Sequence, residues 1–403
     1  MKKILLIVID GLGDSPIKQF SNRTPLEAAK TPYLDKSTQK GVSGLVSPFL
    51  FSRQEYPSSD TAHLALLGYD PKVYYLGRGP YELTGIGVTL QKGDVALRAN
   101  FSTVDKNLKV IDRRAGRISQ TQPLVNALAR IKQIDGVKFI IKKSYGHRAG
   151  IVLRAKNLSA KISDGDPHRV GAKVKKILPL DKSPQAKFTA GALNKYLETA
   201  HRILKKTNSP ANYLLVRGAG QMKETPSFKK KCGLKAACIA GGALYKGIGK
   251  ILGMDLIKVK GATGLPNTNL KGKISAAKRA LKKYNFVFLH IKATDSLAED
   301  GNFKAKKEFI EKIDKNLKPL VNLKNVLIIV TADHSTCSLL KRHCSEPIPI
   351  LIYGTPPTLL PPAPRAPGKN GVQKFSEKAC QKGKLGKIKQ LDLMPKILEL
   401  AKS

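Results

Sequence analysis

Asp10, Asp295 and Asp333 each stand just beyond a short apolar run, and His334 follows the last of them. Singly, an aspartate in that position reads as a turn former or helix cap. Carried together by strands of one sheet, they would meet at one edge, where three carboxylates repel one another unless a cation sits among them. A divalent-metal site is the economical reading. Further donors lie nearby: Glu299 is four residues after Asp295, on the same face if the segment is helical, and His343 follows the Asp333-His334 strand in a loop. Carboxylate with imidazole suits Mn²⁺, Mg²⁺ or Zn²⁺, and so many donors imply two ions. A two-metal clamp stabilises the attacking and leaving oxygens of a displacement at phosphorus.

Such a clamp needs a nucleophile, and Tyr56-Pro57-Ser58-Ser59-Asp60-Thr61-Ala62-His63 offers a serine in a turn that opens a helix. Free backbone N–H groups and the helix dipole favour an approaching phosphate there. A metal-bound serine hydroxyl loses its proton near neutral pH and attacks as an alkoxide. Further along, Arg113-Arg114-Ala115-Gly116-Arg117, His147-Arg148, Asp164-Gly165-Asp166-Pro167-His168 and Arg217-Gly218-Ala219-Gly220 stand out. Guanidinium forks bind carboxylate and phosphate bidentately, so this clustering points to a small acidic phosphate ester. Lys246 could add positive charge beside the transferring phosphate.

The elements that must position these groups share one grammar. Ile4 to Ile9 precedes Asp10, Phe286 to Ile291 precedes Asp295, and Val326 to Val330 precedes Asp333. Continuous apolar runs of this length suit parallel strands covered on both faces, and helix-like stretches at Ile274 to Tyr284 and Phe303 to Leu317 lie between them. This alternation predicts an α/β fold whose ligands collect beyond the carboxyl ends of the strands. The middle of the chain differs, with scattered runs at Val137 to Ile141, Gly150 to Leu153 and Tyr213 to Val216. It reads as a smaller α+β domain, 91–228, inserted into a discontinuous metal-binding domain, 1–90 and 229–403. Leu359 to Pro367 is a proline-rich loop too short to link further domains.

Composition sets the outer bounds. The 403 residues are 41% hydrophobic and 25% charged, which excludes wholesale disorder and a scaffold too small for a core. A net charge of +43 would draw polyanions non-specifically, yet the basic residues run along the whole chain without the interleaved aromatics of a single-strand platform. Specific nucleic-acid binding is therefore not expected. Five cysteines with no C-x-x-C pair disfavour a disulfide framework or zinc knuckle and suit a reducing cytoplasm. The apolar run Ile4 to Ile9 is too short for a membrane span or signal segment.

The motifs and their order resemble the archaeal-type cofactor-independent phosphoglycerate mutases of the alkaline phosphatase superfamily. The resemblance rests on Asp10-Gly11-Leu12-Gly13-Asp14, Thr24-Pro25-Leu26-Glu27-Ala28, Ser59-Asp60-Thr61-Ala62-His63-Leu64, Leu67-Gly68-Tyr69-Asp70-Pro71, Gly77-Arg78-Gly79-Pro80, Arg113 to Arg117, Asp164 to His168, Gly261-Ala262-Thr263-Gly264 and Thr331-Ala332-Asp333-His334. It implies an alkaline-phosphatase-like parallel-sheet metal domain with an inserted transferase domain, interconverting 3- and 2-phosphoglycerate without a bisphosphoglycerate primer. Ser59 would be the phosphorylated nucleophile. One ion would be held by Asp10, Ser59, Asp333 and His334, the other by Asp295, Glu299 and His343. Arg113, Arg114, Arg117, His147, Arg148, Asp166, His168, Arg217 and Lys246 would bind substrate. The chain departs from the family's Asp-x-x-Gly-His-Asp-Gly by reading Asp295-Ser296-Leu297-Ala298-Glu299-Asp300-Gly301. Glutamate in place of histidine shifts the preference toward Mn²⁺ or Mg²⁺ and away from Zn²⁺. Two other readings compete: an ATP-using phosphotransferase of the homoserine-kinase-like branch, and a catalytically weakened basic RNA-binding relative.

Overall fold

In the strand β1 (Lys3–Ile9), the six residues from Ile4 to Ile9 have no solvent exposure at all. A strand apolar on both faces is stable only when both are covered, so it belongs at the centre of a sheet. The computed structural model describes residues 2–52, 56–354 and 372–402, so the proline-rich segment Leu359 to Pro367 lies outside the described residues. The chain forms two compact units, Met1–Tyr75 with Pro226–Ser403, and Leu76–Thr225.

The first unit opens with β1 and β2 (Val42–Ser47). The second contributes β3 (Val95–Val104), β4 (Val110–Asp112), β5 (Gln133–Ile134), β6 (Val137–Lys143), β7 (Arg148–Arg154) and β8 (Tyr213–Gln221). The chain then returns to the first unit with β9 (Ala236–Ile239), β10 (Asp255–Leu256), β11 (Phe286–Ile291) and β12 (Val326–Thr331). It ends with β13 (Ser335–Cys337), β14 (Arg342–Cys344), β15 (Ile348–Tyr353) and β16 (Gly386–Lys389).

The large sheet of the first unit runs β10-β9-β11-β1-β12-β15-β2-β16. Its first five strands are parallel, while β15 runs antiparallel to both neighbours. The register aligns Ile9 with Ile291 and Val8 with Thr331, so the turns after β1, β11 and β12 leave from the same edge. The expected helix at Ile274 to Tyr284 begins earlier, spanning Leu270–Ala280, because the Asn269 side chain accepts from Gly272 N and caps it there. Among the described residues no helix is long and apolar enough to cross a membrane.

In the second unit β3 is paired on both sides, antiparallel to β7 and β8. The 21-residue helix Pro184–Leu204 buries Leu193, Tyr196, Leu197 and Ala200 in the core under this sheet, with Tyr196 stacked on Phe139 at 4.3 Å. This unit spans Leu76–Thr225, so it ends close to the expected 228 but begins well before 91. The reason lies in the helix Arg78–Gly85, which packs directly on β3. Gly79 lies so close that an added Cβ would stand 2.0 Å from the Ala96 carbonyl oxygen.

One buried ion pair ties the loops at the edge of the large sheet. Lys306, fully buried in the helix Phe303–Leu317, donates from Nζ to Asp14 Oδ2 at 2.9 Å and to the carbonyls of Gly13 and Thr336 at 3.0 Å. Asp14 also accepts from the Ser338 backbone N–H at 2.9 Å. The turn after β1 is thereby joined to the hairpin after β12. Lys306→Met should lower unfolding stability by about 3–5 kcal/mol in urea denaturation, because it leaves a buried carboxylate without its cation.

Candidate active site

Asp10 leaves β1 into a turn that only glycine can make. Gly11 has φ +64°, and a Cβ there would lie 2.5 Å from Thr336 Oγ1 and 2.7 Å from Asp295 Cβ. The close approach brings three loops together. Asp10 Oδ2 accepts from Tyr245 Oη at 2.5 Å and from His290 Nε2 at 3.0 Å, and Oδ1 lies 3.4 Å from Lys292 Nζ. Burial, then the Asp10 charge, pushes the Tyr245 phenol well above its ordinary range, so it remains a donor. Burial pulls His290 down to about 4, despite the opposing bond to Asp10, so it donates as a neutral ring. Lys292 also pairs with Asp295. Burial would lower its ammonium, but Asp10 and Asp295 outweigh that and hold it well above the usual lysine range.

Asp333 and His334 follow β12. Asp333 Oδ1 accepts from Gly11 N at 3.1 Å, while Oδ2 has the ring nitrogens of His334 and His63 at 3.1 and 3.4 Å. Neither makes a well-directed hydrogen bond to Oδ2, which is a buried acceptor without a hydrogen-bond partner. Burial would raise this carboxyl, yet His334 and His63 hold it far below the carboxylate range. Ser59 is the first residue of the helix Ser59–Leu66, after Ser58 at the N-cap, and its Oγ lies 3.1 Å from His334 Nε2.

Asp295 and Glu299 both lie in the helix Ala293–Glu299. Asp295 Oδ1 accepts from Thr336 Oγ1 at 2.7 Å and lies 3.4 Å from His343 Nε2. Burial would raise the Asp295 carboxyl, but Lys292 holds it well below its ordinary value. His343 is not in a loop: β14 pairs antiparallel with β13, placing His343 opposite Thr336. Cys337 and Cys344 close that hairpin as a disulfide with Cα atoms 5.9 Å apart, where sequence reading disfavoured a disulfide framework. The seven-residue spacing shows this bridge only once the two strands are known to pair. His343 Nδ1 bonds the Pro57 carbonyl at 2.7 Å, which leaves Nε2 facing Asp295. Burial opposes a charge on this ring, but the bond to Asp295 prevails and raises it to about 9. Glu299 is more peripheral, half-exposed with Oε1 4.0 Å from His343 Nε2.

These side chains form two donor groups, Asp10–Asp333–His334 and Asp295–His334–His343, each with ligand atoms within 4.8 Å of one another. His334 belongs to both. The orphaned Asp333 Oδ2, the buried carboxylates and the mixed oxygen–nitrogen donors fit divalent cations.

Within the second unit, Arg98 and Arg78 flank buried Glu82 Oε1 at 3.4 and 3.3 Å. Burial would raise Glu82, but the two guanidinium groups and Arg148 hold it at about 2. Arg113 grips Asp166 through two bonds of 3.1 and 2.7 Å, and His168 Nδ1 lies 3.4 Å from Arg113 and 3.3 Å from Arg217. Burial, then Arg148, Arg114 and Arg98, pulls His147 down to about 3. The Nε atoms of Arg98, Arg148 and Arg217 are buried without a hydrogen-bond partner. Arg114 and Arg117 are exposed.

Lys246 does not reach the carboxylates. Together with burial, its charge lowers the buried Lys273 ammonium to about 8. Lys292 stands beside Asp10 instead, and sequence reasoning passed over it together with Tyr245, His290, Arg78 and Arg98. A signal existed for one of them: His290 is a polar residue within the otherwise apolar β11.

A largely parallel sheet with paired carboxylate–imidazole groups and a helix-opening serine at its edge defines a class. The profile of the Metalloenzyme superfamily matches residues 2–400, and the chain belongs to that superfamily. It is 44% identical over 411 residues to the 2,3-bisphosphoglycerate-independent phosphoglycerate mutase of Methanococcus aeolicus, covering 99% of this chain and 98% of that protein. The mutase 1 of Methanocaldococcus jannaschii is likewise 44% identical over 413 residues, covering 99% and 97%. A solved Pyrococcus horikoshii structure is similar with a TM-score of 0.80 at 32% identity, over 100% of this chain and 97% of that one. The cofactor-independent phosphoglycerate mutase from Thermoplasma acidophilum gives 0.68 at 37% identity, over 100% of both chains. The chain is a member of the 2,3-bisphosphoglycerate-independent phosphoglycerate mutase family. This full-length kinship favours the mutase branch over the kinase-like and RNA-binding readings.

The Glu82 carboxyl, lowered from its ordinary 4.5 to about 2, makes the second unit acid-sensitive in a definite window. Its stabilisation is complete above about pH 5 and is lost as the pH falls toward 2. Glu82→Gln should cost about 3 kcal/mol at neutral pH and flatten the stability-versus-pH curve across that window, as followed by denaturant titration.

Proposed function

We propose that this protein interconverts 3-phosphoglycerate and 2-phosphoglycerate without a bisphosphoglycerate primer, through a phosphoserine at Ser59. The observation that carries the reading is the position of Ser59 Oγ, at a helix start and 3.1 Å from His334 Nε2, the imidazole common to both donor groups. Asp10, Ser59, Asp333 and His334 would hold one divalent ion, and Asp295 and His343 the other, with Glu299 at its rim. Bound ions would supply Lewis acidity that draws charge from the transferring phosphoryl oxygens. Oxygen-rich ligation with Glu299 favours Mn²⁺ or Mg²⁺ over Zn²⁺.

The chain's own groups do the rest. Ser59 Oγ forms the bond to phosphorus, the bond from phosphorus to the glycerate oxygen breaks, and the serine's proton ends on that oxygen. The other glycerate hydroxyl then takes the phosphoryl group back, restoring Ser59. Backbone N–H groups at the start of the helix Ser59–Leu66 favour the phosphate's charge. Lys292 offsets the negative charge of Asp10 and Asp295. In the second unit, the unpaired Nε donors of Arg98, Arg148 and Arg217 await an anion, and Arg113 is oriented by Asp166 and His168. The first unit therefore acts as the metal domain and the second as the substrate domain. A cytoplasmic setting goes with this small anionic substrate.

Conversion coupled to enolase checks the proposal, and no conversion with any divalent metal would remove it. Ser59→Ala should lower turnover at least about a thousandfold. Chelation should abolish activity, with Mn²⁺ or Mg²⁺ restoring it better than Zn²⁺. Glu299→His should raise the Zn²⁺-supported rate relative to the Mn²⁺-supported rate, with KM for phosphoglycerate changed by less than about twofold.

A further inference from the structure

Asp10 and Asp333 stand at the carboxyl end of the large sheet. At its opposite end, where β1 and β12 begin, a cavity of about 710 Å³ opens between four stretches of chain. Lys2, Lys3, Lys278, Lys282, Lys324 and Lys402 surround it, and among the described residues no carboxylate lines it. Six of its eleven lining residues are lysine, whereas the whole chain holds 72 basic residues in 403. Among the described residues, no ion pair joins these six ammonium groups to an acid, and Lys3 Nζ donates to the backbone carbonyls of Leu281 and Lys282, so like-charge repulsion across the cleft is only partly offset.

The cavity is built into the fold. Lys2 N donates to the Ala401 carbonyl at 2.9 Å and Lys3 N to the Asn325 carbonyl at 3.3 Å, joining three of its walls. Lys3 Nζ reaches the Leu281 carbonyl on the fourth. Its apolar part is made by Leu281, Leu323, Val326 and Ala401. An apolar floor beneath a ring of ammonium groups matches an amphipathic polyanion better than a bare one. The volume falls within the range of about 300–1,000 Å³ typical of small-molecule sites.

We propose that this lysine-ringed cavity binds a nucleoside polyphosphate, with the phosphates among the lysines and the base over the apolar floor. The site lies apart from the catalytic edge and is independent of the activity proposed above. The probe is ATP, titrated calorimetrically into the intact protein in magnesium-containing buffer at about 150 mM salt, where diffuse surface attraction is largely screened. Substituting Lys278, Lys282 and Lys324 together by alanine should weaken binding about tenfold or more. Removing the same charge elsewhere, with Lys382, Lys384 and Lys387 each changed to alanine, should weaken it less than about twofold. Each single variant of the cavity set is read as well, so a folding defect in the triple variant leaves the result intact. Equal weakening by both sets, or no saturable ATP binding, overturns the site. Tripolyphosphate binding as tightly as ATP overturns the nucleoside assignment. Tighter binding of single-stranded RNA, with the same dependence on the cavity lysines, assigns the surface to nucleic acid and overturns the small-ligand proposal.

Discussion

Mutual repulsion among Asp10, Asp295 and Asp333 is the constraint around which the first unit is arranged. All three are fully buried at one sheet edge, where water cannot screen them. Their surroundings answer that cost group by group. Lys292 bridges Asp10 and Asp295, Tyr245 and His290 donate to Asp10, and His63 and His334 crowd Asp333. Even so, Asp333 Oδ2 keeps an open lone pair, and two donor groups share one imidazole. A protein does not assemble so much buried negative charge for stability alone, and a site that takes cations accounts for it.

The same electrostatic logic is inverted in the second unit. There the crowded charges are guanidinium groups, and Glu82 and Asp166 are the compensating anions. Where the first unit leaves one buried carboxylate oxygen, Asp333 Oδ2, without a partner, the second leaves the Nε atoms of Arg98, Arg148 and Arg217 so. On the proposed reading, one unit would take cations and the other the anionic substrate, the division of labour that a metal-assisted transfer of a phosphate ester requires.

Much of this was legible in the chain because strands buried on both faces write themselves as unbroken apolar runs. Ile4 to Ile9, Phe286 to Ile291 and Val326 to Val330 fall where they were expected, with Asp10, Asp295, Asp333 and His334 just beyond them, while Ser59 was read from the turn that opens its helix. What was not legible depends on pairing across long sequence separations. His343 reads as a loop residue until β13 and β14 are seen to pair, and the Cys337–Cys344 bridge is invisible for the same reason. Lys292 carries no signal in the sequence, and only the fold shows that it stands beside Asp10. The compact second unit takes in the helix Arg78–Gly85 because its Gly79 packs against the β3 backbone, a contact with no mark in the sequence.

The threading of the first unit has a consequence for biogenesis. Ile4 pairs with Phe286 and Lys3 with Val326, so β1 emerges from the ribosome long before either of its neighbours exists. The arginine-bearing unit, continuous from Leu76 to Thr225, meets no such delay and can consolidate while synthesis is under way. During that interval this apolar strand lacks its partners and is exposed to aggregation, a vulnerability that ends only when the C-terminal half is released.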